Sequence, residues 1–130
     1  MAQIAVTLDR RDPPVGVVAL LGDHDVASSR RLENELAVLL DDGVGVVADL
    51  RETTFIDSQS LSVLLSARHQ AEEAALGFAL VLPDDPATQV NRLLDLTRLN
   101  DAFAVSASVD GARAAARAGV TAGHRGAGVR

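Results

Sequence analysis

No cysteine, lysine, tryptophan or tyrosine occurs anywhere in the chain. Without cysteine there is no disulfide framework, no thiolate metal site and no thiol nucleophile. The lack of disulfides suits a reducing compartment. Without lysine there is no Walker-type phosphate lysine, no Schiff-base chemistry and no Ser-Lys catalytic pair; all 12 basic residues are arginine. Aromatic rings are confined to Phe55, Phe78 and Phe103, which leaves little for base stacking. No apolar run approaches the roughly 20 residues that span a bilayer. The opening Met1-Ala2-Gln3-Ile4 lacks the basic-then-apolar layout of a signal peptide. A cytoplasmic protein with no membrane partner is expected.

What remains is an ordinary globular composition: 130 residues, 48% hydrophobic and 23% charged. That is one domain's worth of chain, long enough for a real core. The net charge of −6 repels nucleic-acid backbones unless a basic patch overrides it. Arg10-Arg11 and Arg30-Arg31 are scattered doublets, so direct nucleic-acid binding is not expected.

Gln3 to Leu8 alternates as a first strand, with Ile4, Val6 and Leu8 on one face. Pro13-Pro14 forces a turn, and Val15 to Leu21 reads as a second strand buried on both faces and hairpinned to the first. Gly22-Asp23-His24-Asp25 reads as a loop, with Asp25 or Ser28 able to cap the next helix. Leucines at 32, 36, 39 and 40 mark an amphipathic helix from Val26 to about Leu40. It ends at Asp41-Asp42-Gly43. A strand over Val44–Leu50, a helix over Ser58–Ala75 and a strand over Phe78–Leu82 follow. Next come a helix over Ala87–Leu96 with Val90, Leu93, Leu94 and Leu96 inward, a strand over Phe103–Ser106, and an alanine-rich helix over Val109–Ala118. The alternation predicts a single α/β domain over residues 1–118, with parallel strands under helices. Residues 119–130, rich in glycine, are expected to form a mobile tail.

The stretch 46–65 organises the rest. Val46, Val47, Ala48 and Leu50 make a buried strand, and Asp57-Ser58 supplies two residue types that cap helices. Leu61, Leu64 and Leu65 follow at helical spacing, leaving Ser58 at the exposed start of the helix. On spacing alone a cap is the simpler role for Ser58. The same place would also suit a phosphate, because backbone donors and the positive end of the helix dipole meet there.

Asp49-Leu50, Phe55-Ile56-Asp57-Ser58 and the following Leu61 and Val63-Leu64-Leu65 resemble the signature of the STAS domain, specifically the small bacterial anti-sigma factor antagonists. The segment Val90–Leu99 is similar to that family's penultimate helix and its exit. The resemblance implies a mixed sheet of four or five strands with helices mainly on one face, and no enzymatic activity or cofactor. It places the family's phosphorylated serine on Ser58. It further implies that the unphosphorylated chain binds an anti-sigma factor with a histidine-kinase-like ATPase fold, frees a sigma factor for transcription, and is reset by a phosphoserine phosphatase. Asp23, His24 and Asp25 would share the partner-binding face with Asp57, Ser58, Gln59, Ser60 and Ser62. Gln59, Ser60 and Ser62 depart from the family's glycine-containing helix start and would tune which partner fits. Those departures also support an alternative, a STAS module that binds constitutively within a larger signalling assembly and is never phosphorylated.

Other chemistries are weaker. A metal site at Gly22-Asp23-His24-Asp25 lacks a second nearby histidine, and adjacent residues seldom point at one ion. His69 falls on a helix between Arg68 and Gln70 and reads as solvated. A hydrolase using Ser58 needs a base and an oxyanion stabiliser, and no histidine is convincingly placed. Asp49, at the end of a buried strand, resembles a receiver-domain phosphoacceptor, but the late lysine such domains need is absent. Gly43-Val44-Gly45 precedes a strand rather than opening a helix, so it is a turn.

Overall fold

The computed structural model describes residues 2–122. Six strands and four helices follow in the order β1 (Gln3–Asp9), β2 (Val15–His24), α1 (Val26–Asp41), β3 (Gly45–Asp49), β4 (Thr53–Ile56), α2 (Ser58–Glu73), β5 (Phe78–Val81), α3 (Gln89–Thr97), β6 (Ala104–Ser106) and α4 (Val109–Arg117). A single 3-10 turn, Leu99–Asp101, links α3 to β6. The sheet runs β1-β2-β3-β5-β6, with β4 paired to the end of β2. It is mixed: β1 and β2 form an antiparallel hairpin, and every other pairing is parallel.

The element read as a loop at 51–57 is where expectation and structure part. It contains β4, and the supposed loop at 22–24 is the end of β2, which pairs with it. β2 is ten residues long because it serves two neighbours. Val15–Ala19 pairs with β3, and Gly22–His24 pairs with β4 across a bulge at Gly22/Asp23. Gly22 sits there at φ 84°, backbone that favours glycine. Four residues cannot advertise a strand by alternation when the partner lies 31 positions away in the chain.

Helices cover both faces unequally. Leu32, Leu36, Leu39 and Leu40 of α1, Leu61 and Leu64 of α2, and Val90 and Leu94 of α3 pack on one face against Val18, Leu20, Val46, Phe78 and Leu80. Phe78 and Phe103 meet within that core at 6.2 Å between ring centroids. On the other face, among the described residues, α4 alone lays Ala112 and Ala116 over Val15, Val17, Val47, Ala79 and Val81. Small residues let α4 lie close: a Cβ on Gly77 would land on the carbonyl and Cα of Ala116. One apolar expectation needs correction: Leu96 points away from the core and is 82% exposed. Val6 and Leu8 share a face with Ile4, as expected, and both are exposed. Of the expected tail, the Val120 carbonyl accepts the Phe78 N–H at 2.9 Å, and residues 123–130 lie outside the described residues.

Candidate functional site

β4 ends at the buried Ile56, and the chain turns directly into α2. Asp57 holds extended backbone (φ −94°, ψ 175°), and its carboxylate accepts the Ser60 N–H at 2.8 Å. The capping role therefore falls to Asp57. Ser58, the first helical residue, is exposed, and its hydroxyl makes no hydrogen bond among the described residues. The N–H groups of Ser58 and Gln59 lie in the first turn, where the helix offers no acceptor of its own. An exposed, unengaged hydroxyl thus sits beside free backbone donors.

Three other segments hold this corner. The Asp57 N–H donates to the His24 carbonyl at 3.1 Å, so the end of β2 fixes the turn. The Ser60 hydroxyl donates to the Asp25 carbonyl at 3.4 Å, tying α2 to the start of α1, where the Asp25 carboxylate accepts the Ala27 N–H at 2.9 Å. The third contact has no counterpart in the sequence reading. Gln89, at the first position of α3, accepts the Ile56 N–H through Oε1 and donates from Nε2 to the Ile56 carbonyl, both at 2.8 Å. Its side-chain amide behaves as the next strand's peptide would, closing the outer edge of β4. Thr88 caps α3 through the Asn91 N–H, and Asn91 Nδ2 donates to the carbonyls of Pro83 and Asp85, so Gln89 is itself well seated.

The residues singled out from sequence divide into a surface and its foundations. Asp23, Asp25, Ser58, Gln59 and Ser62 are exposed, with Ser62 one turn after Ser58 on the same side of α2. Asp23 accepts the Thr54 hydroxyl, which braces β2 against β4. His24 and Ser60 are fully buried. The His24 ring lies against the Leu21 carbonyl through Nε2 at 3.1 Å and the Ser28 hydroxyl through Nδ1 at 3.2 Å. A carbonyl can only accept, so Nε2 carries the proton, while Nδ1 lies against the Ser28 hydroxyl, which also donates to the Asp25 carbonyl at 3.3 Å. Burial, the largest influence, pushes the His24 pKa below its ordinary value despite the backbone contacts and nearby Asp25 and Asp23. Both ring nitrogens are engaged inside the fold, so His24 does not serve Ser58 as a base. No group of three or more metal-binding side chains occurs among the described residues.

Asp49 belongs elsewhere. It is buried on the α4 side of the sheet, and Arg51 grips it through Nε and Nη2, both at 2.9 Å. The corner at Ser58 therefore offers an exposed hydroxyl on a helix start tied by hydrogen bonds to β2, α1 and α3, with the carboxylates of Asp23, Asp25 and Asp57 on the same corner.

The family model for the STAS domain matches residues 7–112. A search of curated proteins returned no match. Among solved structures, an anti-sigma factor antagonist from Mycobacterium paratuberculosis is similar at 28% identity and TM-score 0.70, covering 88% of this chain and 95% of that one. A putative anti-sigma factor antagonist from Thermotoga maritima is similar at 22% identity and TM-score 0.70, covering 88% and 94%. The anti-sigma factor antagonist SpoIIAA in its unphosphorylated form shares the fold at 14% identity and TM-score 0.64, covering 85% and 94%. No helix among the described residues is long and apolar enough to cross a membrane.

Proposed function

The chain belongs to the STAS domain family, and from that premise we propose that it is an anti-sigma factor antagonist whose binding is switched at Ser58. Unphosphorylated, it binds an anti-sigma factor of histidine-kinase-like ATPase fold through the rim formed by Asp23, Asp25, Asp57, Ser58, Gln59 and Ser62, and so frees a sigma factor. The partner transfers a phosphoryl group from ATP to the Ser58 hydroxyl, and a phosphatase later removes it. His24 and Ser60 act from beneath, by holding the rim in place.

One observation carries this reading. Ser58 is exposed, is relieved of capping duty by Asp57, and sits at a helix N-terminus held rigidly by His24 and Gln89. A rigid frame presents the same hydroxyl to a kinase and the same surface to a binding partner. Phosphorylation adds about −1.5 to −2 charges there, beside a rim that already carries three carboxylates. Weakening a contact a thousandfold takes about 4 kcal/mol, which is within the cost of burying one uncompensated charge.

The test is parallel capture from native extract with wild-type and Ser58→Glu chains as baits, with phosphosite mapping of the wild type. The switch predicts that wild type retains an ATPase-fold anti-sigma factor, that the glutamate form does not, and that phosphate maps to Ser58. Retention of the same partner by both baits, with Ser58 unmodified, would establish the constitutive module instead.

A further inference from the structure

The free edges of the sheet are not protected alike. β6 is three residues long, and the outer edge of β4 is closed by the Gln89 amide. β1 is different. It runs for seven residues, Gln3–Asp9, in unbroken register with β2. It contains no proline or bulge and no charge before Asp9. Folded proteins ordinarily guard an edge of this length with charge, proline or a bulge, because its unpaired N–H and C=O groups invite another strand.

The surroundings of that edge are apolar and self-complementary. Val6 and Leu8 are 42% and 38% exposed on the α1 side of the sheet. That side follows from Leu39, which packs over Gly16, the residue paired with Leu8. Glu33, Leu36 and Ala37 of α1 face α2 across a shallow cleft with Val63, Ala67 and Gln70. At 100° per residue, Arg31 and Glu35 project from the opposite flank, where Arg31 lies beside Ala2 at the start of β1. Neither Arg31 nor Glu35 has an ion-pair partner among the described residues.

We propose that this edge is a homodimer interface, occupied by β1 of a second copy in antiparallel pairing. A two-fold axis near Val6, the middle of the strand, joins the two sheets into one continuous sheet. It also runs the two α1 helices antiparallel beside each other. Val6 of both copies then meets at the axis, with Leu8 of each copy against Ile4 of the other. Arg31 of each copy meets Glu35 of the other, as an isologous interface requires when residue i contacts j and j contacts i. The two Ser58 corners lie at opposite ends of the joined sheet, so both stay accessible. The proposal is independent of any phosphorylation of Ser58.

Sedimentation equilibrium of the full chain tests it. Wild type is expected at twice the 13.5 kDa chain mass. Val6→Lys is expected to be monomeric, with an unchanged far-ultraviolet spectrum confirming that it folds. Arg31→Glu, a substitution on an exposed helix flank, is expected to weaken the dimer about tenfold through its two symmetric pairs. The double variant Arg31→Glu/Glu35→Arg is expected to recover that loss. A monomeric wild type at every accessible concentration would overturn the proposal, as would a Val6→Lys dimer as tight as wild type. Failure of the double variant to recover would remove the Arg31–Glu35 pairing and the two-fold placement built on it.

Discussion

Truncating Gln89 to alanine strips two 2.8 Å hydrogen bonds from the Ile56 peptide and touches nothing at Ser58 itself. Each such bond contributes about 0.5–1.5 kcal/mol net, and a buried group left without a partner costs about 1–3 kcal/mol. Water reaches the outer edge of β4 once the amide is gone, so part of that penalty is relieved. A loss of about 1–3 kcal/mol follows, which registers as a fall in melting temperature of about 5–10 °C for a domain of this size. The local effect is the sharper test. Amide exchange at Ile56 should accelerate by more than the change in global stability explains, because its acceptor is removed outright. Gln89→Glu should rescue only in part: the carboxylate can accept the Ile56 N–H but sets an oxygen against the Ile56 carbonyl. Capture of the partner by the unmodified chain should weaken in both variants. If Ile56 exchange and the melting temperature are unchanged in Gln89→Ala, the corner is held by β2 and the start of α1, and α3 has no part in presenting Ser58.

Two further outcomes follow from the packing and the buried charges. Gly77→Ala drives a Cβ into the backbone of Ala116, so α4 must lift from the sheet, at a cost of about 1–3 kcal/mol or more; an unchanged urea midpoint would show that α4 does not rest there. With acid, His24 and Asp9 should act in separate ranges. Burial holds the His24 pKa below its ordinary value, so the unfolded chain binds the proton more readily. Stability is then complete above about pH 6.5 and declines as pH falls below it. Hydrogen bonds from Arg11, with Arg117 adding another, hold the Asp9 carboxyl well below the usual carboxylate range. Its contribution is present above about pH 4 and is lost as pH falls further. Urea midpoints measured across these ranges check both, and a His24→Gln chain should flatten the upper step while leaving the lower one.

Much of this architecture is readable because its signals are local. The leucines at 32, 36, 39 and 40 predict one face of α1, and all four are buried. The apolar run before Asp49 predicts a central strand, and every residue of β3 is buried. Asp57-Ser58 ahead of Leu61 and Leu64 places the start of α2 at the residue where it occurs. Misreadings fall where the deciding partner is distant. β4 is four residues whose strand character comes from β2, and Gln89 is an unremarkable helix residue until α3 lies against Ile56. Leu96 follows Leu93 by three residues, yet at 100° per residue it stands 200° round α3 from the buried Leu94, and it faces solvent.

By itself, then, the order of residues determined which segments become strands and helices, the family signature around Asp49–Leu65, and the exposed position of Ser58. These rest on periodicity, capping and turn chemistry, each of which acts within a few neighbouring residues. Tertiary structure alone decided the division of labour inside the site. Asp57 takes the cap and leaves Ser58 free, His24 turns inward and braces the corner with its carbonyl, and Gln89 arrives from 31 residues beyond Ser58 to close the edge of β4. The Asp57 cap is local, though the sequence offered Asp57 and Ser58 alike for it; the His24 and Gln89 contacts join segments that meet only when the sheet assembles, and leave no pattern in either segment alone.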